Sequence, residues 1–365
     1  MHLPLSRRHF FSGCAAGLLA PAIGRLAAAA EPHKLIEYRR GGMTYRRLGQ
    51  TELFPSLLSF GSHTDPADRV KASNGTVLTT AGQARRDRII ARAFDHGVNM
   101  LDVYATEGQW EPAARMVSGR RDKILISLAH EVSAIDIDRA CKLFGHVDLY
   151  RFHTADIDGK ALEDWDVLRK AKEAGKVRAI GIATHVERTM LGALTELEGI
   201  DFLFFPYNFI HARADYASFL PEAQRRGVGL VGMKPLASGS IMQLDPLARP
   251  GAKPEFESLQ LWQASNKPVL PAAVAELTKT LLRMPDETLC MAAMRFAYSR
   301  PFISTVIAGM FEERLFEDNY KALAQYQERG RDEHAALSAA REVAGMLDAK
   351  WLPKHYRWLE ERWRG

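Results

Sequence analysis

The side chains best suited to proton transfer or ion binding are His63, Asp102, Glu107, His130, Glu131, His153 and His185, and each follows a short apolar run. A carboxylate beside an imidazole can do general acid–base work, so Glu107 or Glu131 with His130 or His153 forms one candidate pairing. His130, His153 and His185 with a nearby carboxylate would instead suit a divalent ion such as zinc. Such an ion polarises a carbonyl or lowers the pKa of bound water. Lys234 closes another apolar run and could meet an anionic or carbonyl substrate. The other candidates read as structural: His146 and His211 fall before a strand or within a helical pattern, and Cys141 and Cys290 lie on apolar helix faces.

These groups can meet only if the elements carrying them converge. Short apolar segments recur at 57–60, 99–103, 124–127, 148–152, 179–182, 202–205, 229–233 and 304–307, as expected for strands covered on both faces. Helical stripes alternate with them: Ile89, Ile90, Ala93 and Phe94 share one face before Gly97, and Leu162, Trp165 and Leu168 share another before Gly175. Further helices are expected over 134–144, 187–197, 214–226, 287–299 and 312–325. Eight strand–helix units predict a (β/α)8 TIM barrel over 43–325, an α/β fold whose strand ends build the site. The alternative, a doubly wound sheet, lacks a G-x-G-x-x-G after the first strand. An N-terminal hairpin is expected over 43–55 with its turn at 48–53. Insertions at 62–82 and 240–271 leave carboxyl ends of strands and are candidate substrate loops. A C-terminal helical extension over 326–365 would dock through Trp351, Trp358 and Trp363.

The chain has 365 residues, 47% hydrophobic and 25% charged, which excludes disorder and low-complexity classes. Its formal charge of +5 includes Arg7, Arg8 and Arg25 in an acid-free segment over 1–30; without them the balance is +2. No basic block remains for nucleic acid. Three cysteines are too few for a disulfide framework or an iron–sulfur cluster. Ser6-Arg7-Arg8-His9-Phe10-Phe11, the apolar run from Cys14 to Ile23 and the small residues Ala27 to Ala30 read as a twin-arginine export signal. The expectation is a periplasmic or extracellular protein, free of the membrane once the signal is removed, acting on a small molecule.

Several ordered motifs carry a family resemblance: Met43-Thr44-Tyr45-Arg46-Arg47-Leu48-Gly49, Gly97-Val98-Asn99-Met100-Leu101-Asp102, Val147-Asp148-Leu149-Tyr150 to His153, Gly175-Lys176-Val177-Arg178-Ala179-Ile180-Gly181, Pro235-Leu236-Ala237 and Glu317-Asp318-Asn319. The chain resembles the aldo-keto reductases, in particular a bacterial branch whose members often carry a C-terminal iron–sulfur segment, although the cysteines of that segment are missing here. The resemblance implies hydride transfer between NADP(H) and a carbonyl, with Asp, Tyr, Lys and His at successive strand ends. The Tyr gives a proton to the forming alkoxide, the Lys beside the Asp tunes it, and the His orients the carbonyl. An untuned tyrosine, with a pKa near ~10, is a poor proton carrier at neutral pH.

Carried over residue by residue, the resemblance places Asp102 and His153 in the set, puts Glu107 at the Tyr position and Ala129 at the Lys position. Tyr104, two residues after Asp102, is an alternative phenol. Tyr207 (as the ring that stacks on the nicotinamide), Asn208, Pro235, Leu236, Gly309 and Asn319 are the implied cofactor contacts. Phe204 stands where a Gln is expected, Ala183-Thr184 replace a Ser–Asn pair, and Phe311-Glu312 replace ligands for the 2′-phosphate. Three outcomes are thus open: an oxidoreductase with a degraded NADP(H) site, a barrel turned to acid–base or metal-assisted chemistry, or a non-catalytic binding protein.

Overall fold

The eight apolar runs form one closed barrel of parallel strands. A computed structural model describes residues 35–73, 75–104, 108–208, 219–236, 275 and 283–329. The barrel strands are β3 (Leu58–Phe60), β6 (Met100–Tyr104), β7 (Leu125–Ala129), β8 (Val147–His153), β9 (Val177–Ala183), β10 (Phe202–Pro206), β11 (Gly229–Met233) and β12 (Ile303–Ala308). Their order around the barrel is β10-β11-β12-β3-β6-β7-β8-β9, closing on itself. The described helices are α1 (Thr80–Asp95), α2 (Trp110–Val117), α3 (Ala134–Phe144), α4 (Gly159–Glu173), α5 (Glu187–Glu196), α6 (Phe219–Arg226), α7 (Leu289–Tyr298) and α8 (Glu313–Arg329). The expected TIM barrel is present. The segments 1–30, 240–271 and 333–365, with the three tail tryptophans, lie outside the described residues, as do Glu107 and His211.

Strand alternation sorts the core into two layers. Outward residues such as Leu128, Tyr150, Leu203 and Phe205 pack under the helices, and inward Met100, Leu149, Ala179, Phe202, Phe204 and Val231 fill the barrel. In the D-L-Y motif Leu149 enters the barrel while Asp148 and Tyr150 share the opposite face. Asp148, fully buried, accepts from the Ile126 amide at 2.8 Å and from Arg178 at 2.7 Å, with Arg121 also at 2.7 Å. Tyr150 turns outward and donates to the Glu131 carbonyl at 2.9 Å, pinning the loop after β7.

The N-terminal hairpin is present but lies earlier than expected. It pairs β1 (Glu37–Arg40) with β2 (Met43–Arg46) around Gly41-Gly42. The segment after it folds back to plug the barrel floor: Leu48 donates to the Leu53 carbonyl at 2.8 Å, and both leucines join the inner core. Gly49, at φ 55°, lies so close to the backbone of Gly227 and Gly229 that a Cβ has no room. The expected 43–55 pairing is present in part: besides the Tyr45–Ser56 bridge, the Arg46 amide donates to the Pro55 carbonyl at 3.1 Å and the Leu57 amide to the Thr44 carbonyl at 2.7 Å, around the turn at 48–53. The 62–82 insertion contains a second hairpin, β4 (Arg69–Ala72) with β5 (Gly75–Leu78).

Candidate active site

Three neighbouring strands build the site. On β6, Asp102 and Tyr104 point inward; their register partners on β7 are Ser127 and Ala129, and Ala129 pairs with Arg151 on β8. The lower layer is ionic. Arg151 grips Asp102 with two parallel bonds of 2.7 and 2.9 Å, while Ser127 Oγ donates to the same carboxylate at 2.8 Å. Arg151 and Asp102 are each 1% exposed. A bidentate geometry of this kind is what a planar guanidinium offers and an ammonium does not.

The surroundings explain how the guanidinium fits. Ala129, at the position where the resemblance places Lys, has only a methyl group and leaves the space beside it open to the guanidinium. Phe204 enters from β10 and puts its ring 3.8 Å from the Arg151 guanidinium carbon, a cation–π contact out of solvent. Burial works to lower the Arg151 pKa, and Asp102 and Tyr104 together outweigh it, so the pKa rises.

The upper layer is aromatic. Tyr104 is half-buried above Arg151 and has its ring 5.6 Å from the guanidinium carbon. The His153 and His63 rings both meet Tyr104 edge-on, with centroids at 6.0 Å. Protein crowding, followed by the Arg151 cation, pushes the His153 pKa down to about 4. His153 keeps an exposed edge at the mouth, so water screens part of this effect. The ring is neutral at physiological pH and is available as a hydrogen-bond donor to a carbonyl.

The other expected residues divide. His130 is the clearest correction: with Ser127 and Ala129 inward, the next position falls outward, toward the helices. Its ring meets Trp110 edge-on at 5.4 Å and lies 3.6 Å from Asp136, away from Tyr104 and His153. His185 is half-buried just past β9. Among the described residues, no three His, Cys, Asp or Glu side chains are grouped to hold a metal, so the set His130, His153 and His185 is not assembled. Tyr207, expected to present its ring to a nicotinamide, is fully buried and stacks on Phe296 of α7 at 5.9 Å, with Phe302 at its edge. It follows Phe205 in the outward phase of β10, and its face is already covered.

Asn208, also fully buried, donates to the Lys234 carbonyl at 3.0 Å. Pro235 and Leu236 follow directly, buried and half-buried. Gly309 abuts the loop after β3, and Asn319 on α8 is 4% exposed. At the start of α8, Glu312 is half-buried and Arg314 lies 3.5 Å from Asp318. Arg151 is the member that reading from the sequence missed. Its only signal was phase: it stands two residues before His153 and therefore faces the same interior.

A family model described as the aldo/keto reductase family matches residues 74–339. L-galactose dehydrogenase of Arabidopsis thaliana is 24% identical over 318 residues, covering 79% of this chain and 90% of the relative. Among solved structures, an aldo-keto reductase from Bacillus halodurans in its apo form superimposes with a TM-score of 0.59 at 20% identity, covering 83% of this chain and 96% of that one. Its holo form gives 0.59 at 19% identity with the same coverage. At these identities, the solved structures speak for the fold.

Proposed function

The chain belongs to the aldo-keto reductase family, and from that premise we propose that it exchanges hydride between a nicotinamide dinucleotide and a small carbonyl compound through a rearranged set: Asp102, Tyr104, Arg151 and His153. One observation carries this reading. A buried cation, paired with Asp102 and lying 5.6 Å from the Tyr104 ring, stands beside Ala129 where the resemblance calls for lysine. The cation has moved to the next strand and has not been lost.

When bound, the dinucleotide would supply the hydride that the carbonyl carbon takes up. The residues do the rest. Neutral His153 donates a hydrogen bond to the carbonyl oxygen and fixes its direction. Tyr104 gives its hydroxyl proton to that oxygen as the C–O bond becomes an alkoxide, and solvent at the mouth returns a proton to Tyr104. Arg151 stabilises the charge left on the phenol oxygen, and Asp102 with Ser127 holds the guanidinium in place. Alcohol oxidation uses the same groups in reverse.

The residues present meet the two parts of the family's cofactor differently. Gly309 and Asn319 are the residues that would hold the dinucleotide, and at Gly309 the one described neighbour within 4 Å of a Cβ position is His63 at 3.5 Å. The 2′-phosphate of NADP(H) does not fit: Glu312 presents a like charge, and Arg314 is held beside Asp318. No divalent metal enters this reading.

Steady-state reduction of a panel of aldehydes, followed by nicotinamide absorbance, tests it. Tyr104→Phe should lower kcat by about 10²–10⁴-fold. The competing expectation puts acid–base work on Glu107; if Glu107→Gln abolishes turnover while Tyr104→Phe does not, the rearranged set is wrong. We also propose export of the folded chain through the twin-arginine segment. Replacing Arg7 and Arg8 by Lys should strand the protein inside the cell on fractionation, and unchanged export would reject it.

A further inference from the structure

His63 has no part in the hydride-transfer set, yet its loop is fixed with unusual care. The residue is exposed, while Ser62 and Thr64 on either side are buried. The Gly61 amide donates to the Ala308 carbonyl at 2.8 Å and ties the loop to the end of β12. Arg69, at the start of β4, donates to the Thr64 hydroxyl at 2.9 Å and to its carbonyl at 2.6 Å. Between these anchors Arg86 of α1, 5% exposed, reaches three consecutive carbonyls: His63 at 3.1 Å, and Ser62 and Gly61 at 3.4 Å. Its guanidinium carbon lies 5.2 Å from the Phe60 ring. A connector that only showed a histidine to water would need none of this, because loops tolerate motion.

What the loop presents is a ring against Tyr104. The His63 and Tyr104 centroids are 6.0 Å apart with an interplanar angle of 69°, and His153 meets the same tyrosine at 6.0 Å and 89°. The two imidazoles arrive from different directions around the barrel. His63 follows β3, which pairs with β6, whereas His153 closes β8, beyond β7 on the other side of β6. Tyr104 ends its strand half-buried, where a phenol swings between rotamers unless its ring is held. Edge-to-face contact is a favoured geometry for such rings and uses their shape, not their nitrogens.

We propose that His63 is a positioning residue for Tyr104, clamping the phenol over Arg151 together with His153, and that Arg86 acts through it by holding the loop. This rests on the reading that Tyr104 carries the proton, and it adds what keeps that side chain in place at an open mouth.

The test uses the full chain with His63→Ala, His63→Phe and Arg86→Met, each checked for folding by circular dichroism. Without cofactor or substrate, nitration of Tyr104 by tetranitromethane is followed by mass spectrometry. It should quicken by about threefold or more in His63→Ala and stay near the wild-type rate in His63→Phe. In aldehyde reduction His63→Ala should lower kcat by about tenfold or more while KM moves by less than about threefold. His63→Phe should restore kcat to within about threefold of wild type. Arg86→Met should match His63→Ala and add less than about threefold on that background. Arg86→Lys, which keeps the charge without the planar fork, makes the same comparison if Arg86→Met does not fold. Unchanged nitration in His63→Ala, a KM effect alone, or a His63→Phe variant as impaired as His63→Ala overturns the proposal. Independent losses in the double variant overturn the part given to Arg86. Faster nitration in His63→Ala with no wild-type turnover upholds the clamp and overturns the hydride-transfer reading instead. Wild-type turnover with unchanged nitration does the opposite.

Discussion

Replacing Arg151 by methionine isolates the central pair. The guanidinium makes two bonds to Asp102 at 2.7 and 2.9 Å, and the carboxylate is 1% exposed. Without Arg151, Ser127 Oγ at 2.8 Å is the side-chain hydrogen-bond donor left to that carboxylate among the described residues. Removing one partner of a buried pair costs about 3–5 kcal/mol, because the remaining charge stays out of water. Loss of the Phe204 contact adds up to about 2 kcal/mol, which burial of the methionine side chain partly restores. A net loss of about 3–5 kcal/mol is therefore expected in urea unfolding followed by circular dichroism. The double variant Asp102→Asn with Arg151→Met removes both charges and should recover most of the loss, giving a coupling of at least about 2 kcal/mol in the cycle. A single variant costing less than about 1 kcal/mol, or additive effects in the cycle, would refute the pairing. A second construction probes the vacated position. Ala129→Lys on the Arg151→Met background should regain stability, since the new ammonium stands beside the same carboxylate.

Three further expectations follow from the same charges. His153 should titrate near about 4 by nuclear magnetic resonance, well below the ordinary value of about 6.5. Its neutral form is favoured in the fold, so stability should fall as pH drops from about 6.5 toward 4 and level off below; a midpoint near 6.5 would contradict this. For Asp148, burial raises the pKa, but His146, Arg121, the Ile126 amide and Arg178 outweigh it and leave it lowered. That contribution is present above the unfolded value of about 3.9 and disappears as pH falls through the folded one. Asp148→Asn should cost about 3–5 kcal/mol at neutral pH and flatten the acid limb of stability; an unchanged limb excludes this role. Fluorescence titration should find NADH bound about tenfold or more tightly than NADPH, with Glu312→Lys shifting the ratio toward NADPH; equal affinities in the wild type would reject the charge argument.

The barrel was legible because buried parallel strands are continuous apolar runs, and all eight segments fall within a few residues of their expected bounds. The two hairpins were harder for one shared reason. β1 reads Glu37-Tyr38-Arg39-Arg40 and β4 reads Arg69-Val70-Lys71-Ala72, polar edges with no buried face to create a period. His130 was misread by a single residue of phase, which in a strand is the difference between interior and shell. Arg151 was unreadable for a deeper reason. Patterning treats arginine as a surface residue, and its partner Asp102 lies 49 residues away on another strand. Only the closed sheet brings the two together.

The departures at Ala129, Phe204 and Arg151 are best understood as one change. Phe204 fills the place expected for a glutamine and supplies the apolar face that a buried guanidinium needs. Ala129 supplies the room, and Arg151 supplies the charge that Asp102 requires. None of the three reverts easily alone. Lysine at 129 with Arg151 still present would put two cations against one carboxylate in a dry layer, and like charges there cost more than either cation returns. Arg151 lost with Ala129 in place leaves Asp102 uncompensated. A glutamine at 204 would exchange the aromatic face over Arg151 for an amide that must find its own partners. Counting these positions as separate losses therefore overstates the damage: the same carboxylate, a cation and a tyrosine still meet, reached from a different strand.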